Sequence, residues 1–145
     1  MSQTSKTLSH YKAQHAVVTW GGVILNLALA IPMLIAPGPA LDLLGIPHPE
    51  FIWARMGALA LIFITIFYIP MTFDIDRFRI FAWLSIFPAR FCGAFFFTLY
   101  VVIGGAPTGF LLVGLIDAFI ALCWLYCMIR IVKLEQDIAT GRADT

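Results

Sequence analysis

The amino-acid sequence predicts an all-α integral membrane protein, a four-helix bundle with both termini cytoplasmic and a short interfacial helix in its first outer loop. Three observations carry that prediction. The chain is 61% apolar and 12% charged, where a soluble domain carries roughly a quarter charged residues, and its mean hydropathy is +0.94. Four apolar stretches, residues 16–35, 51–71, 81–103 and 108–131, each reach the ~20 residues that a helix needs to cross a bilayer. Basic residues fall on one side of that topology: Lys6, Lys12, Arg77, Arg79, Arg130, Lys133 and Arg142 share it, and the opposite loops hold no Lys or Arg. The positive-inside rule then places both ends of the chain in the cytoplasm.

The first stretch follows Lys6 and Lys12, as the core of a signal peptide would. Its apolar run is too long for that role and "IAPGPALD" is a weak cleavage site, so it reads as a retained helix. The loop "APGPALDLLGIPHPE" (36–50) carries Asp42 and Glu50. Within it Pro39 starts a short helix through Leu44 and Gly45 stops it, the usual Pro-first, Gly-last asymmetry. The leucines of this helix anchor it at the outer interface; a lid over an outward-facing cavity is the alternative use. Helix two then runs to Met71. The turn "TFDIDRFR" (72–79) neutralises its own charge, as a solvated turn does, although its alternating Asp and Arg also suit a docked partner. "GGAP" (104–107) joins helices three and four, and short tails, 1–15 and 132–145, complete a single membrane domain over 1–145. Trp20 and Trp83 near the inner boundary and Trp53 near the outer one match interfacial aromatic belts. Cys92, Cys123 and Cys127 lie inside apolar runs, where an odd count makes a poor disulfide framework and packing is the simpler role.

Against this background the charges inside the spans stand out. Arg90 sits in "FPARFCGAFFF", and the 1.5 Å helical rise places it roughly 13 Å from the cytoplasmic start of helix three. Asp117 is a similar distance from the outer start of helix four, so both lie near the midplane of a core about 30 Å thick. Asn26 is near mid-depth on helix one. Arg55, close to the outer end of helix two, can snorkel toward Glu50 or reach down to Asp117. Each has small residues on its own helical face: Gly22 and Ala30 with Asn26, Ala58 with Arg55, Ala94 with Arg90, Gly114 and Ala121 with Asp117. Small residues let membrane helices approach closely, so these faces point into the bundle. A midplane Arg or Asp costs about 2.5–3.5 kcal/mol even on the translocon scale. Asp117 is the acidic residue at a depth to answer Arg90, and Pro88 frees a carbonyl one turn earlier as a second acceptor. Two readings follow: a buried ion pair that sets helix register, or a pocket built on Asn26, Arg55, Arg90 and Asp117 for a polar headgroup, quinone or substrate.

The histidines, at 10, 15 and 48, precede helix one or lie in the outer loop, so no transmembrane axial ligand for a b-type haem is expected. No HExxH, paired CxxC, Walker or dinucleotide loop occurs, and no metal site or nucleic-acid partner is expected. "RMGALALIFITIFYI", "PARFCGAFFFTLYVV" and "LLVGLIDAFIALCWL" together resemble the small four-helix bacterial membrane proteins grouped as DoxX-like. The resemblance rests on Arg55 with Gly57, on Arg90, and on Gly114 with Asp117, and spans most of residues 16–131. It implies a multi-pass protein of the bacterial inner membrane, some of whose relatives are membrane subunits in quinone-linked oxidation of sulfur compounds. The leading expectation is a non-enzymatic accessory or anchoring subunit, with a membrane-protein partner or a second copy of itself, that binds lipid or quinone in its bundle. A quinone-reactive enzyme subunit using Arg90 and Asp117 is the alternative, and a small oligomeric transporter a further one.

Overall fold

The computed structural model describes residues 3–141; Arg142 and Thr145, part of the expected tail, lie outside that range. Among the described residues every regular element is helical: α1 (Gln3–Ile35), α2 (Pro37–Leu43), α3 (Ile52–Phe73), α4 (Arg79–Leu84), α5 (Phe91–Val102) and α6 (Gly109–Ala139). α4 and α5 are the halves of one bent segment joined through Ser85–Arg90. α1, α3, the bent segment and α6 are each long and apolar enough to span a membrane, and many of their large apolar side chains point outward, Phe63, Phe67, Phe95 and Phe119 among them.

α1 and α6 outrun the bilayer. Their 33 and 31 residues extend roughly 45–50 Å at 1.5 Å per residue, against a hydrocarbon core of about 30 Å. Residues 3–15, expected as a tail ahead of the span that starts at Ala16, are helical. The apolar letters begin there, but backbone hydrogen bonding does not, and ion pairs hold the polar turns in place. Lys12 meets Asp76 at 2.7 Å and Glu135 at 3.3 Å, and Arg79 meets Asp76 at 2.8 Å and Glu135 at 2.7 Å. These contacts tie both helix extensions to the 74–78 turn, so the start of α1, the end of α6 and that turn share one end of the bundle, the terminal end.

The other end, the loop end, is closed by α2. This helix begins two residues earlier than expected, with Pro37 in its first turn, and ends at Leu43, one residue short of the expected end. Gly45 has φ 63°, the left-handed conformation that glycine adopts at no steric cost. Its N–H bonds the Asp42 carbonyl and the Ile46 N–H bonds the Leu41 carbonyl, both at 2.9 Å, the paired bonds of a Schellman stop. Leu41 and Ile46 are both buried, which supplies its apolar contact. A Cβ at position 109 would overlap the Leu44 carbonyl, so Gly109 lets the loop seat directly on the start of α6.

Proline shapes the bent segment. Phe87, which precedes Pro88, is extended at φ −126° and ψ 122°, the region into which a following proline pushes its neighbour, and the Phe87–Pro88 bond is cis. Within the bundle α1 packs between α3 and α6, and α6 packs between α1 and α5, whereas α3 meets the bent segment chiefly at α4. One wall is therefore thin. A groove of about 260 Å³ runs along it, between Ile64, Phe67 and Tyr68 of α3 and Phe81, Leu84, Ser85 and Ala89 opposite.

Candidate functional site

Arg90 is 3% exposed, so its charge must be answered inside the protein. One terminal nitrogen, Nη1, donates to Asp117 Oδ1 of α6. The other, Nη2, donates to Asn26 Oδ1 of α1 at 3.1 Å. An arginine offers donors only, which forces the Asn26 oxygen toward it and the Asn26 amino group away. That group donates to Thr65 Oγ1 of α3 at 2.9 Å, and the Thr65 hydroxyl gives its own proton onward to the Leu61 carbonyl at 2.7 Å. The polarity of the chain thus follows from one residue, and the chain links all four spanning segments.

Aromatic rings complete the cradle. The guanidinium carbon lies 5.0 Å from the Trp124 ring and 5.5 Å from the Tyr68 ring, within cation–π range. Trp124 is held in turn: its indole N–H donates to Thr19 Oγ1 at 3.0 Å, and the Thr19 hydroxyl donates to the His15 carbonyl at 2.8 Å. Two glycines lie against the charged pair. A Cβ at Gly22 would stand 3.4 Å from Arg90 Nη2, and one at Gly93 would stand 3.3 Å from Asp117 Oδ2. The small residues of the sequence pattern therefore do pack the polar groups together.

The structure brings Asn26, Arg90 and Asp117 into direct contact and leaves Arg55 out. Arg55 is exposed, and among the described residues it forms an ion pair with neither Glu50 nor Asp117; Gly57, its companion in the sequence motif, has open space beside it. The expected second acceptor is also replaced. Asn26, from another helix, serves Arg90 in place of a carbonyl freed by Pro88. Sequence reasoning missed Thr65, Tyr68 and Trp124. Thr65 and Tyr68 were the detectable ones, as polar letters three apart in the apolar run "LIFITIFYI". His15, expected ahead of helix one, is fully buried within α1 and stacks on Trp124 at 6.3 Å between ring centres. Its two ring nitrogens have no hydrogen-bond partner among the described residues.

Two features leave the network short of complete closure. Arg90 Nε is buried without a partner among the described residues, and the Asp117 side chain is 24% exposed where Arg90 is sealed. The arrangement therefore leaves one buried Arg90 N–H unanswered and part of the Asp117 carboxylate at the bundle surface. Among the described residues no three His, Cys, Asp or Glu side chains group as metal ligands.

Fold and site together define a small polytopic helical membrane protein with an ion pair buried among its spans. No family model, curated protein or solved structure matches the chain.

Proposed function

We propose that this protein is a non-enzymatic accessory or anchoring subunit of a larger complex in the bacterial inner membrane. Both termini lie in the cytoplasm, the α2 loop lies at the outer interface, and the bundle binds lipid or quinone beside its polar core. The observation that carries the reading is the hydrogen-bond chain from Asp117 through Arg90 and Asn26 to Thr65. Its members engage one another across all four spans, which suits a core that sets register and holds a ligand at its edge better than one arranged around a reacting atom. The DoxX-like resemblance points the same way. Reporter fusions at Thr145 and in the 72–79 turn should read as cytoplasmic, and one near His48 as periplasmic. Purification in mild detergent with mass spectrometry of what accompanies the chain tests the role itself. Stoichiometric membrane-protein partners support it; a chain that runs alone and turns over a quinone overturns it.

A second reading has its own observation. The unpartnered Arg90 Nε and part-exposed Asp117 suit a quinone carbonyl and its proton, as in a quinone-reactive subunit. A folded Arg90→Leu/Asp117→Leu double variant decides between them: loss of electron transfer with an intact complex supports this second reading, and an unaltered complex and activity makes the pair structural.

A further inference from the structure

We propose that the groove between α3 and the bent segment is a site for one anionic phospholipid, with an acyl chain in the groove and its phosphate at Arg77. The proposal names the lipid of the reading above and rests on it for the bilayer setting, but its residues are distinct from the Arg90 chain apart from Tyr68, which lines both.

Depth is the first argument. Phe81 lies two residues into α4, so along the rise of a helix the groove begins roughly 3 Å inside the terminal end, and it continues past the bend at Phe87 to Ala89. On α3, Tyr68 and Ile64 lie roughly 8 and 14 Å from the Phe73 end by the same rise. A core about 30 Å thick has leaflets of half that depth. The groove thus follows one leaflet, from its boundary to the midplane, as an acyl chain does.

The lining is the second. Ile64, Phe67, Phe81, Leu84 and Ala89 form its walls, and Phe67 stacks on Phe81 at 6.3 Å. Ser85 directs its hydroxyl to the Phe81 carbonyl at 2.6 Å, so that donor is turned away from a hydrocarbon chain. At about 260 Å³ the groove is smaller than the 300–1,000 Å³ of an ordinary small-molecule pocket. It takes a stretch of one chain and leaves the headgroup outside.

Charge at the mouth is the third. Phe78 packs on Phe81 at 6.2 Å, and the Arg77 guanidinium lies over the Phe78 ring at 5.6 Å. Arg79 and Lys12 nearby are committed to Asp76 and Glu135. Arg77 is exposed and has no side-chain carboxylate partner within ion-pair distance among the described residues, so its five donors face the headgroup layer where a phosphate arrives.

The test uses the full chain in mild detergent, titrated with dioleoylphosphatidylglycerol or dioleoylphosphatidylcholine, with bound lipid counted by native mass spectrometry. One basic residue near the surface should favour the anionic lipid about fivefold. Arg77→Gln should bring the two lipids to parity, Lys133→Gln, another exposed basic residue near the same end, should keep the preference, and Ala89→Phe should weaken both lipids by filling the groove. A preference that survives Arg77→Gln, or that Lys133→Gln removes equally, overturns the headgroup assignment. Because Ala89→Phe stands beside Arg90 and can impair folding, the unaltered chain supplies an independent check. Phosphatidylglycerol carrying a photoreactive acyl chain should label 64–68 and 81–89, and label confined to the Phe95–Phe96 face overturns the site. The subunit reading is judged separately by co-purifying chains, so either idea can fail while the other stands.

Discussion

The protein contains two ion-pair systems built from the same chemical groups in opposite surroundings. At the terminal end Lys12, Asp76, Arg79 and Glu135 form a ring of carboxylates and cations, all partly exposed. In the middle of the spans Arg90 and Asp117 form one pair, with Arg90 sealed behind Trp124 and Tyr68. More bonds join the rim, yet each is weaker, because water screens the charges and solvates either partner when the other is lost. The core pair has no such alternative. Removing one member strands a charge in low dielectric, so the number of ion pairs is a poor guide to their importance, and the surroundings decide.

The largest expected effect tests that contrast at its extreme. Arg90→Leu or Asp117→Leu alone should destabilise the bundle by about 3–5 kcal/mol, the usual cost of breaking a buried pair, read as lost folded yield and an earlier detergent-induced unfolding midpoint. The double variant should recover much of the loss, and the cycle isolates the coupling from the separate effects of each change. Harmless, additive single variants would erase the distinction between core and rim.

Next comes Asn26→Leu, which leaves the charges paired and removes the neutral link. It strands an Arg90 N–H and breaks the connection to Thr65, so about 1–3 kcal/mol should be lost, the cost of leaving a buried polar group unsatisfied. A value as large as that of Arg90→Leu would mean that the amide, rather than the charge pair, holds the centre together.

Arg79→Gln sharpens the comparison from the other side. It breaks contacts to both Asp76 and Glu135, but with those groups partly exposed the loss should stay below about 1 kcal/mol. It should shrink further at high salt, whereas the Arg90→Leu effect should be insensitive to salt. The Asp76 carboxyl, held below its ordinary value first by the Lys12 hydrogen bond and opposed by desolvation, supports the rim above about pH 4. That support fades only as pH falls through the depressed value.

The smallest effect is at the loop end, where His48 pairs with Asp42 at 2.8 Å. The hydrogen bond that the His48 ring donates to the Asp42 carboxylate raises the His48 pKa above the ordinary imidazole range. A group with a raised folded-state pKa stabilises fully below its unfolded value of about 6.5 and loses that contribution as pH rises through the folded value. His48 should therefore titrate above free imidazole by NMR, and Asp42→Asn should return it to the ordinary range. An unshifted His48 would mean that this pair is not formed in solution.

The sequence by itself determined the class of the molecule. Four apolar runs, each long enough for a bilayer, leave helix as the way to satisfy their backbone, and Gly45 marked a helix stop without reference to any neighbour, whereas Pro88 by itself signalled only a freed carbonyl and the bend at Phe87 emerged in the structure. The sequence also singled out Asn26, Arg90 and Asp117, because a charge or amide at mid-depth is expensive wherever it points, and the small residues beside each indicated an inward face. The limits of α1 were less legible, since ion pairs to a distant turn and to α6 extend it, and no local signal records them. Tertiary structure alone decided which polar groups meet. Helical depth placed Arg55 within reach of Asp117, but rotation about the α3 axis turns Arg55 outward and Thr65 inward, and one sequence cannot fix that rotation when the outside is as apolar as the inside. The same holds for Trp124 and His15: in a chain that is 61% apolar, hydrophobicity separates membrane from water but not lipid-facing surface from core, and only packing makes that second distinction.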